Sequence, residues 1–412
     1  GNDPDLLYLG LWGKDVVVNA VKAAREVGYE GDIMINEVVF TPPEVEALGD
    51  LAEGVYSSTG WILDSSIPEA VAFGSAYEAE FGSKPGWWEE LGYTAAKQLM
   101  AAIEAAGTTD YAAVAPFMND ELVMTPRGKM LKFNENGLRL VDDWIIIQAV
   151  NGELLPVDTA PIAGAQAATA APADAEPIKL GTIWFNSGAA EGLGGIMRNG
   201  FDLAVMEQNA AGGVLGRSVE VIDYDEGYSA DEAVTSARKA IADGVAGIAG
   251  GNDATTCVAM KDVLEEDSVP LVVTACGSEL ITTEGYEGAV HIRAPVKQTQ
   301  SDSNALSVLA RWMIKMGYKR VQGVGVDSDW VLLTDSEFTR IFEEEAPDDF
   351  EYNGMIYFPY GTAEARVEVT KGVGNDPDLL YLGLWGKDVV VNAVKAAREV
   401  GYEGDIMINE VV

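Results

Sequence analysis

An α/β fold of two parallel-sheet lobes is what this sequence predicts, on three observations. Short β-branched runs alternate with stretches whose apolar residues recur at three- and four-residue spacing. The chain has 412 residues, beyond the roughly 250–300 at which a single core stops growing. The strand-like runs are also too numerous for one sheet of ordinary size, so two sheets are expected.

The runs that read as strands are Ile178–Phe185, Val219–Asp223, Val245–Gly250, Pro270–Ala275, Arg320–Asp327, Tyr352–Phe358, Leu379–Trp385 and Asp405–Val411. Ala230–Ala242 and Asp388–Val400 lie between such runs and carry helical spacing, the second through Val389, Val390, Ala393, Val394 and Ala397. Strand and helix in strict alternation imply a parallel sheet covered on both faces. Punctuation agrees: Gly213 and Gly401 stand where helices end in a left-handed residue, and Ser229 before Asp231 and Glu232 reads as an N-cap with acids in the first turn. In such a sheet, ligands bind beyond the carboxyl ends of the strands.

Composition narrows the function. Lys and Arg number 27 against 66 Asp and Glu, a formal charge of −39, which repels nucleic acid and anionic membrane surfaces. No run approaches the roughly 18 apolar residues of a membrane span, and Gly1-Asn2-Asp3-Pro4 has no signal pattern. Two cysteines, Cys257 and Cys276, make neither a disulfide scaffold nor a cysteine-rich zinc site. They fall near two candidate loops, and whether they bridge depends on Cα distances.

Residues 1–39 recur without a change as residues 374–412. Solenoid repeats are adjacent and divergent; this pair is neither. The sequence reads as a circle traversed once and then a little further, with gene fusion the simpler origin over a functional duplication. The Ala/Pro-rich stretch 158–177 is the expected seam, a linker at the natural terminus. Both copies carry one strand–helix–strand and are expected to compete for one position in the fold.

Enzyme signals are poor. The single His291 has no Ser, Cys or zinc partner in a motif and reads as a core or surface residue. Glu191-Gly-Leu-Gly-Gly195 imitates a dinucleotide loop, but Met197 stands where the third glycine belongs. The acids of Asp223–Ser229 open like a calcium loop but place Val234 at its twelfth position, so a solvated loop is the better reading. No catalytic residue, cofactor or metal is assigned. Binding signals are better. Gly250 to Thr256, with Asn252, Asp253, Ala254 and Thr255, follows an apolar strand and opens a helix, either an ordinary N-cap or a seat for a carboxylate. Thr274, Cys276, Gly277 and Ser278 end the next strand and line the same edge. Trp184, Trp330 and Trp385, with its duplicate Trp12, stand at strand ends as apolar walls of a cleft. Glu410, duplicated as Glu37, closes an apolar strand and calls for a partner such as an ammonium.

With Met197–Ala204 leading to Glu207–Arg217, Asp376–Gly383 and Leu51–Val55, the sequence resembles the type I periplasmic binding proteins, the leucine/isoleucine/valine and amide-binding family of ABC importers. The resemblance spans nearly the whole unit read from Ile178 through Val412 and on from Phe40, a circularly permuted order. It implies two Rossmann-like lobes with a ligand cleft between them. Lobe one would hold 40–127 and 178–304; lobe two would hold 128–157, 305–373 and one of 1–39 or 374–412. It further implies that Glu410 receives a ligand amino group, that Trp385 and Trp330 face the ligand, and that Ala254, Thr255, Cys276 and Gly277 sit where the family binds the ligand carboxylate. Ala254 and Gly277 lack the hydroxyls of that pattern, which loosens the carboxylate clamp unless Thr255 or Ser278 substitutes. The expected function is non-enzymatic capture of an amino acid or related amide outside the cytoplasm for an ABC permease. The alternative is a ligand-sensing receptor domain of the same fold. A displaced copy of the repeat would further allow a strand-swapped oligomer.

Overall fold

The computed structural model describes residues 6–9, 14–35, 40–64, 66–134, 136–139, 145–156, 176–187, 193–227, 229–276, 286, 288–292, 305–359, 364–384 and 387–408. Along the chain the strands are β1 (Leu6–Leu9), β2 (Asp32–Ile35), β3 (Val55–Thr59), β4 (Ile145–Val150), β5 (Glu153–Pro156), β6 (Ile178–Trp184), β7 (Val219–Asp225), β8 (Ile248–Gly250), β9 (Leu271–Val273), β10 (Ala289–His291), β11 (Arg320–Val326), β12 (Glu351–Phe358), β13 (Leu379–Gly383) and β14 (Asp405–Ile408). The helices used below are α1 (Lys14–Glu26), α2 (Pro42–Leu48), α3 (Pro68–Phe81), α4 (Trp87–Ala106), α5 (Tyr111–Val114), α6 (Leu193–Ala210), α7 (Ala230–Ala242) and α8 (Ala254–Glu266).

The chain divides into two compact units, Gly1–Thr59 with Ile145–Asp158 and Val296–Val412, and Gly60–Trp144 with Thr159–Pro295. The borders fall at 59/60 and 144/145 rather than near 39/40 and 127/128, because β3 pairs with β2 and β4 and so belongs to the first unit. The β6–α6–β7–α7–β8–α8–β9 alternation of the second unit forms one parallel sheet, order β10-β9-β8-β6-β7. The expected punctuation is present: the Ser229 hydroxyl accepts the Glu232 amide at 3.4 Å, and Gly213 and Gly401 have φ of 80° and 87°.

The first unit departs from expectation. Two sheets are expected for the chain and three occur among the described residues, because the repeated segment is used twice. The copy at 1–39 gives β1 and β2 of the order β1-β2-β3-β4-β5, and the copy at 374–412 gives β13 and β14 of the order β12-β11-β13-β14. The two copies pair internally in the same register, Leu6 with Asp32 and Leu379 with Asp405. They differ in their neighbours: β2 continues to β3, whereas β13 continues to β11. The copies therefore do not compete here; each is seated in a sheet of its own.

Identical residues are buried differently as a result. Ile33 and Ile35 of β2 are enclosed, while their duplicates Ile406 and Ile408 are half-buried. Conversely Leu380 and Leu382 of β13 are enclosed, while Leu7 and Leu9 are half-buried. The helix faces divide in part. Among the described side chains of α1, which contacts α2, Val17 and Val21 are buried; in the duplicate helix Lys387–Glu399, which contacts the helix Arg366–Val373, Val389, Val390, Ala393, Ala396 and Ala397 are buried. The position of Val17 is thus core in both copies, while those of Val21 and of the three alanines are core in one.

In the second unit α4 and α6 cross at backbone contact. A Cβ on Gly92 would lie 2.0 Å from the Met197 carbonyl oxygen, and one on Gly200 would lie 2.0 Å from that of Glu89. Glycine is required at both because the obstruction is backbone, which cannot rotate away. Either Gly92→Ala or Gly200→Ala should force the helices apart and cost about 1–3 kcal/mol, read as a lowered denaturation midpoint at unchanged slope.

One turn before Thr94 on α4, Glu90 is fully buried as a carboxylate. Arg127 donates to it through Nη2 at 3.0 Å, Arg139 Nη2 lies at 3.6 Å, and the Thr94 hydroxyl donates at 3.0 Å. Arg127 also donates to the Gly60 carbonyl, and Arg139 to that of Ile292 at 2.9 Å. Burial alone would raise the Glu90 pKa, but the two guanidiniums outweigh it and hold the group below the ordinary carboxylate value. A depressed acid contributes stability that is present above its unfolded pKa and lost as pH falls through the folded one. Glu90→Gln should therefore cost about 3–5 kcal/mol at pH 7 by stranding both arginines, and the gap to the parent should narrow in urea melts repeated under acid.

Candidate functional site

Parallel pairing brings the carboxyl ends of β6, β7, β8 and β9 to one edge of the second unit's sheet. The loop after β8 is fixed at both ends. The Gly251 amide donates to the Ile183 carbonyl at 3.2 Å, and the Gly251 carbonyl accepts the Ala275 amide at 3.0 Å. Gly251 has φ of +84°, the left-handed region, and its α-face rests on the Cys257 sulfur, so a side chain there is barred twice over.

Asp253 caps α8. Its carboxylate accepts the Thr255 amide at 2.8 Å, and its carbonyl accepts the Cys257 amide at 3.0 Å. Of the two readings of this loop, the N-cap is the one the structure forms: the chain's own carboxylate stands at the positive end of the helix. Ala254 is buried at the first helical position.

Beside this cap is a carboxyl group that the sequence reading missed. Glu226, directly after β7, is fully buried, and its Oε1 accepts the Asn252 amide at 3.1 Å. Burial raises its pKa well above the ordinary value of 4.5, and Asp253 and Asp225 add to the rise against hydrogen bonds from Thr256 and the Asn252 amide. Burial thus shifts this group toward its protonated form. Its Oε2 is buried without a hydrogen-bond partner, as are both amide atoms of Asn252 and the hydroxyl oxygen of Thr255. Polar atoms of this kind are ordinarily paired, so their concentration at one strand edge makes it the candidate site. The acids around Glu226 read as a solvated loop from composition. The missed signal was position, since a residue immediately after a strand paired to the sheet's centre is carried inward.

The other expected residues divide. Thr274 is enclosed, and its hydroxyl is consumed internally, accepting from Trp184 Nε1 at 2.9 Å and donating to the Gly250 carbonyl at 3.2 Å. Trp184, expected as a cleft wall, is a core residue: it is 0% exposed and stands edge-on to Phe201 with ring centroids 6.0 Å apart. Its place on the interior strand β6 explains this, since both faces of a parallel sheet are covered. Cys276 is buried at the same edge. In the first unit, Trp330 is buried in the first turn of the helix Asp329–Glu345, capped by Ser328. Glu410, Glu37, Trp385, Trp12, Gly277 and Ser278 lie outside the described residues. The described residues contain no group of three or more His, Cys, Asp or Glu that could hold a metal ion, and no helix long and apolar enough to cross a membrane.

Comparison with known proteins gives this edge a context. The family model described as "Periplasmic binding protein" matches residues 1–153 and 177–410. The Leu/Ile/Val-binding protein of Escherichia coli is 28% identical over 113 residues, 27% of this chain and 31% of that protein. Leu/Ile/Val-binding protein homolog 7 of Brucella abortus is 36% identical over 121 residues, 29% of this chain and 30% of that protein. The aligned part thus spans about a third of these relatives' length. Among solved structures, a type 1 periplasmic binding protein from Bordetella pertussis aligns with a TM-score of 0.49 at 18% identity, over 57% of this chain and 62% of that one. A solute binding protein from R. palustris, in complex with 4-hydroxybenzoate, aligns with a TM-score of 0.48 at 22% identity, over 57% and 63%. The family match runs through both compact units and most of the chain, and the protein belongs to the periplasmic binding protein family.

Proposed function

We propose that this protein captures a small polar ligand, an amino acid or related amide, outside the cytoplasm and presents it to an ABC importer in the membrane, without chemical change. The observation that carries the reading is the group of buried, unpaired polar atoms on Glu226, Asn252 and Thr255 at the carboxyl edge of a parallel sheet, in a chain of the periplasmic binding family. In its protonated form, which burial favours, Glu226 can donate a hydrogen bond to a ligand carbonyl or carboxylate, while Asn252 can both donate and accept. These groups do the work the resemblance assigned to hydroxyls at Ala254 and Gly277. The role of Glu410, or its duplicate Glu37, toward a ligand amino group rests on the resemblance alone, as do those of Trp385, Trp12, Trp330, Gly277 and Ser278.

We also propose that the chain is a circular permutation in which one β-α-β segment is present twice. The complementary burial of the copies supports this. Each copy encloses strand residues that the other leaves half-covered, Ile33 and Ile35 against Ile406 and Ile408, and Leu380 and Leu382 against Leu7 and Leu9, so a single copy with both sets of neighbours would give the order β12-β11-β13-β14-β3-β4-β5.

Deleting either residues 1–39 or residues 374–412 should leave a folded monomer with a single cooperative melt; loss of the fold in both deletions would sink the permutation. In a thermal-shift screen of amino acids, short amides and aromatic acids, at least one class should raise the melting temperature in proportion to the logarithm of its concentration. Changing Glu37 and Glu410 together to Gln should abolish the response to amines, and retained affinity would remove the amino-group assignment. A raised acid contributes stability that is present below its unfolded pKa and lost as pH rises through the folded one. Glu226→Gln, which keeps the oxygen that Asn252 uses, should therefore match the parent near pH 4 and exceed it by about 1 kcal/mol or more toward pH 8; the same variant should weaken ligand binding at all pH values in between.

A further inference from the structure

Cys257 and Cys276 are both fully buried, and neither is in a disulfide. They approach from different elements: Cys257 lies in the first turn of α8, and Cys276 lies three residues past β9. Gly251 brings them together. The Cys257 sulfur rests on the α-face of Gly251, where an added Cβ would lie 2.4 Å from it, and the carbonyl of the same glycine holds the amide of Ala275, the residue before Cys276. The two thiols are in hydrogen-bond contact with each other.

We infer that Cys257 and Cys276 are a disulfide site, closed by oxidation while the chain folds and sealed once it has folded. The step is thiol–disulfide exchange. The thiolate of one cysteine attacks a sulfur of an oxidant disulfide, breaking its S–S bond and releasing one thiol. The second cysteine, as thiolate, then attacks the mixed disulfide, forming the Cys257–Cys276 bond and releasing the other thiol. Two electrons pass to the oxidant, and the two cysteine protons end on its two sulfurs. The oxidant required is a small-molecule or protein disulfide, the class present in oxidising compartments.

The native fold works against this chemistry. Burial pushes the Cys257 thiol up, and Cys276, Glu226 and Asp253 beside it push the same way. A thiol so placed forms little thiolate and is out of reach of a bulky oxidant. The pair should thus keep whichever state it held when the core closed. When bridged, it ties the first turn of α8, which follows the Asn252–Thr255 loop, to the segment after β9. The inference does not depend on the identity of the ligand, and its test needs none.

The test is to unfold and reduce the full chain and refold it with a mixture of reduced and oxidised glutathione, or with reduced glutathione alone. Thiols are then counted in denaturant and the intact mass is measured. The expected result after oxidative refolding is no free thiol, a mass lower by two hydrogens, and a melting temperature higher by about 5 °C, as loop closure in the unfolded chain predicts. Folded protein treated with the same mixture should stay reduced for hours. Two free thiols after oxidative refolding, or glutathione adducts without the internal bond, would overturn the proposal. So would a bond that forms as readily in the folded protein as in the unfolded one. Cys257→Ser with Cys276→Ser should fold, show no mass change, and match the reduced parent in melting temperature; a redox-dependent shift persisting in it would assign the effect elsewhere.

Discussion

Parallel pairing is the constraint on which the rest of the second unit depends. Strands that run the same way must be joined by crossovers on the faces of the sheet, so each strand from β6 to β9 delivers its following loop to the same edge. Glu226, Asn252 and Thr274 are distant in sequence, yet each sits within two residues of a strand's carboxyl end. Their convergence needs no interaction between their side chains. The close crossing of α4 and α6 at Gly92 and Gly200 serves the same layout, because it lets two long helices lie over the strands without spreading the layer. The Glu90 cluster tethers Gly60, Arg127, Arg139 and Ile292 to α4, fastening chain segments far apart in sequence.

The first unit shows what a fixed sequence does when its neighbours change. The repeated segment has one internal register in both places, so its β-α-β geometry is a local property of those residues. Which of its faces becomes core is not local. The position of Val21 is core in one copy and half-covered as Val394 in the other, whereas Ala393, Ala396 and Ala397 are core where Ala20, Ala23 and Ala24 are not. A helix with apolar residues around much of its circumference is suited to being covered on two flanks, and the chain as it stands covers each copy on one.

Much of the fold was legible because periodicity is set by local geometry. The strand at Ile178, the helix Ala230–Ala242 and the Ser229 cap emerge where residue spacing and capping chemistry place them. The partition of the chain was less legible. That β3 follows β2 into the first unit is decided by pairing between residues far apart along the chain, to which spacing is blind. The environment of single side chains at the strand ends was less legible still. Short polar residues after β8 and β9 marked the edge, but a tryptophan at a strand end does not announce which side of the sheet it faces. Trp184 went inward, where Thr274 satisfies its N–H.

Glu226 illustrates why composition misleads at such a position. In a chain with 66 acidic residues any single glutamate is expected to be solvated, and the cluster Asp223–Glu226 looks like more of the same surface. Strand alternation separates its members. Asp223 and Asp225 keep solvent contact, whereas Tyr224 and Glu226 share the other parity of β7 and are buried. Two acids a single residue apart thus end in opposite states: Asp225 is held low by hydrogen bonds from Ser187 and the amides of Gly227 and Asn186, which overcome its desolvation, and Glu226 is driven high by burial. That divergence shifts one carboxyl group of a strongly acidic protein toward its protonated form, in which it can donate a hydrogen bond. It requires no change of composition, only a strand that stops one residue before the acid.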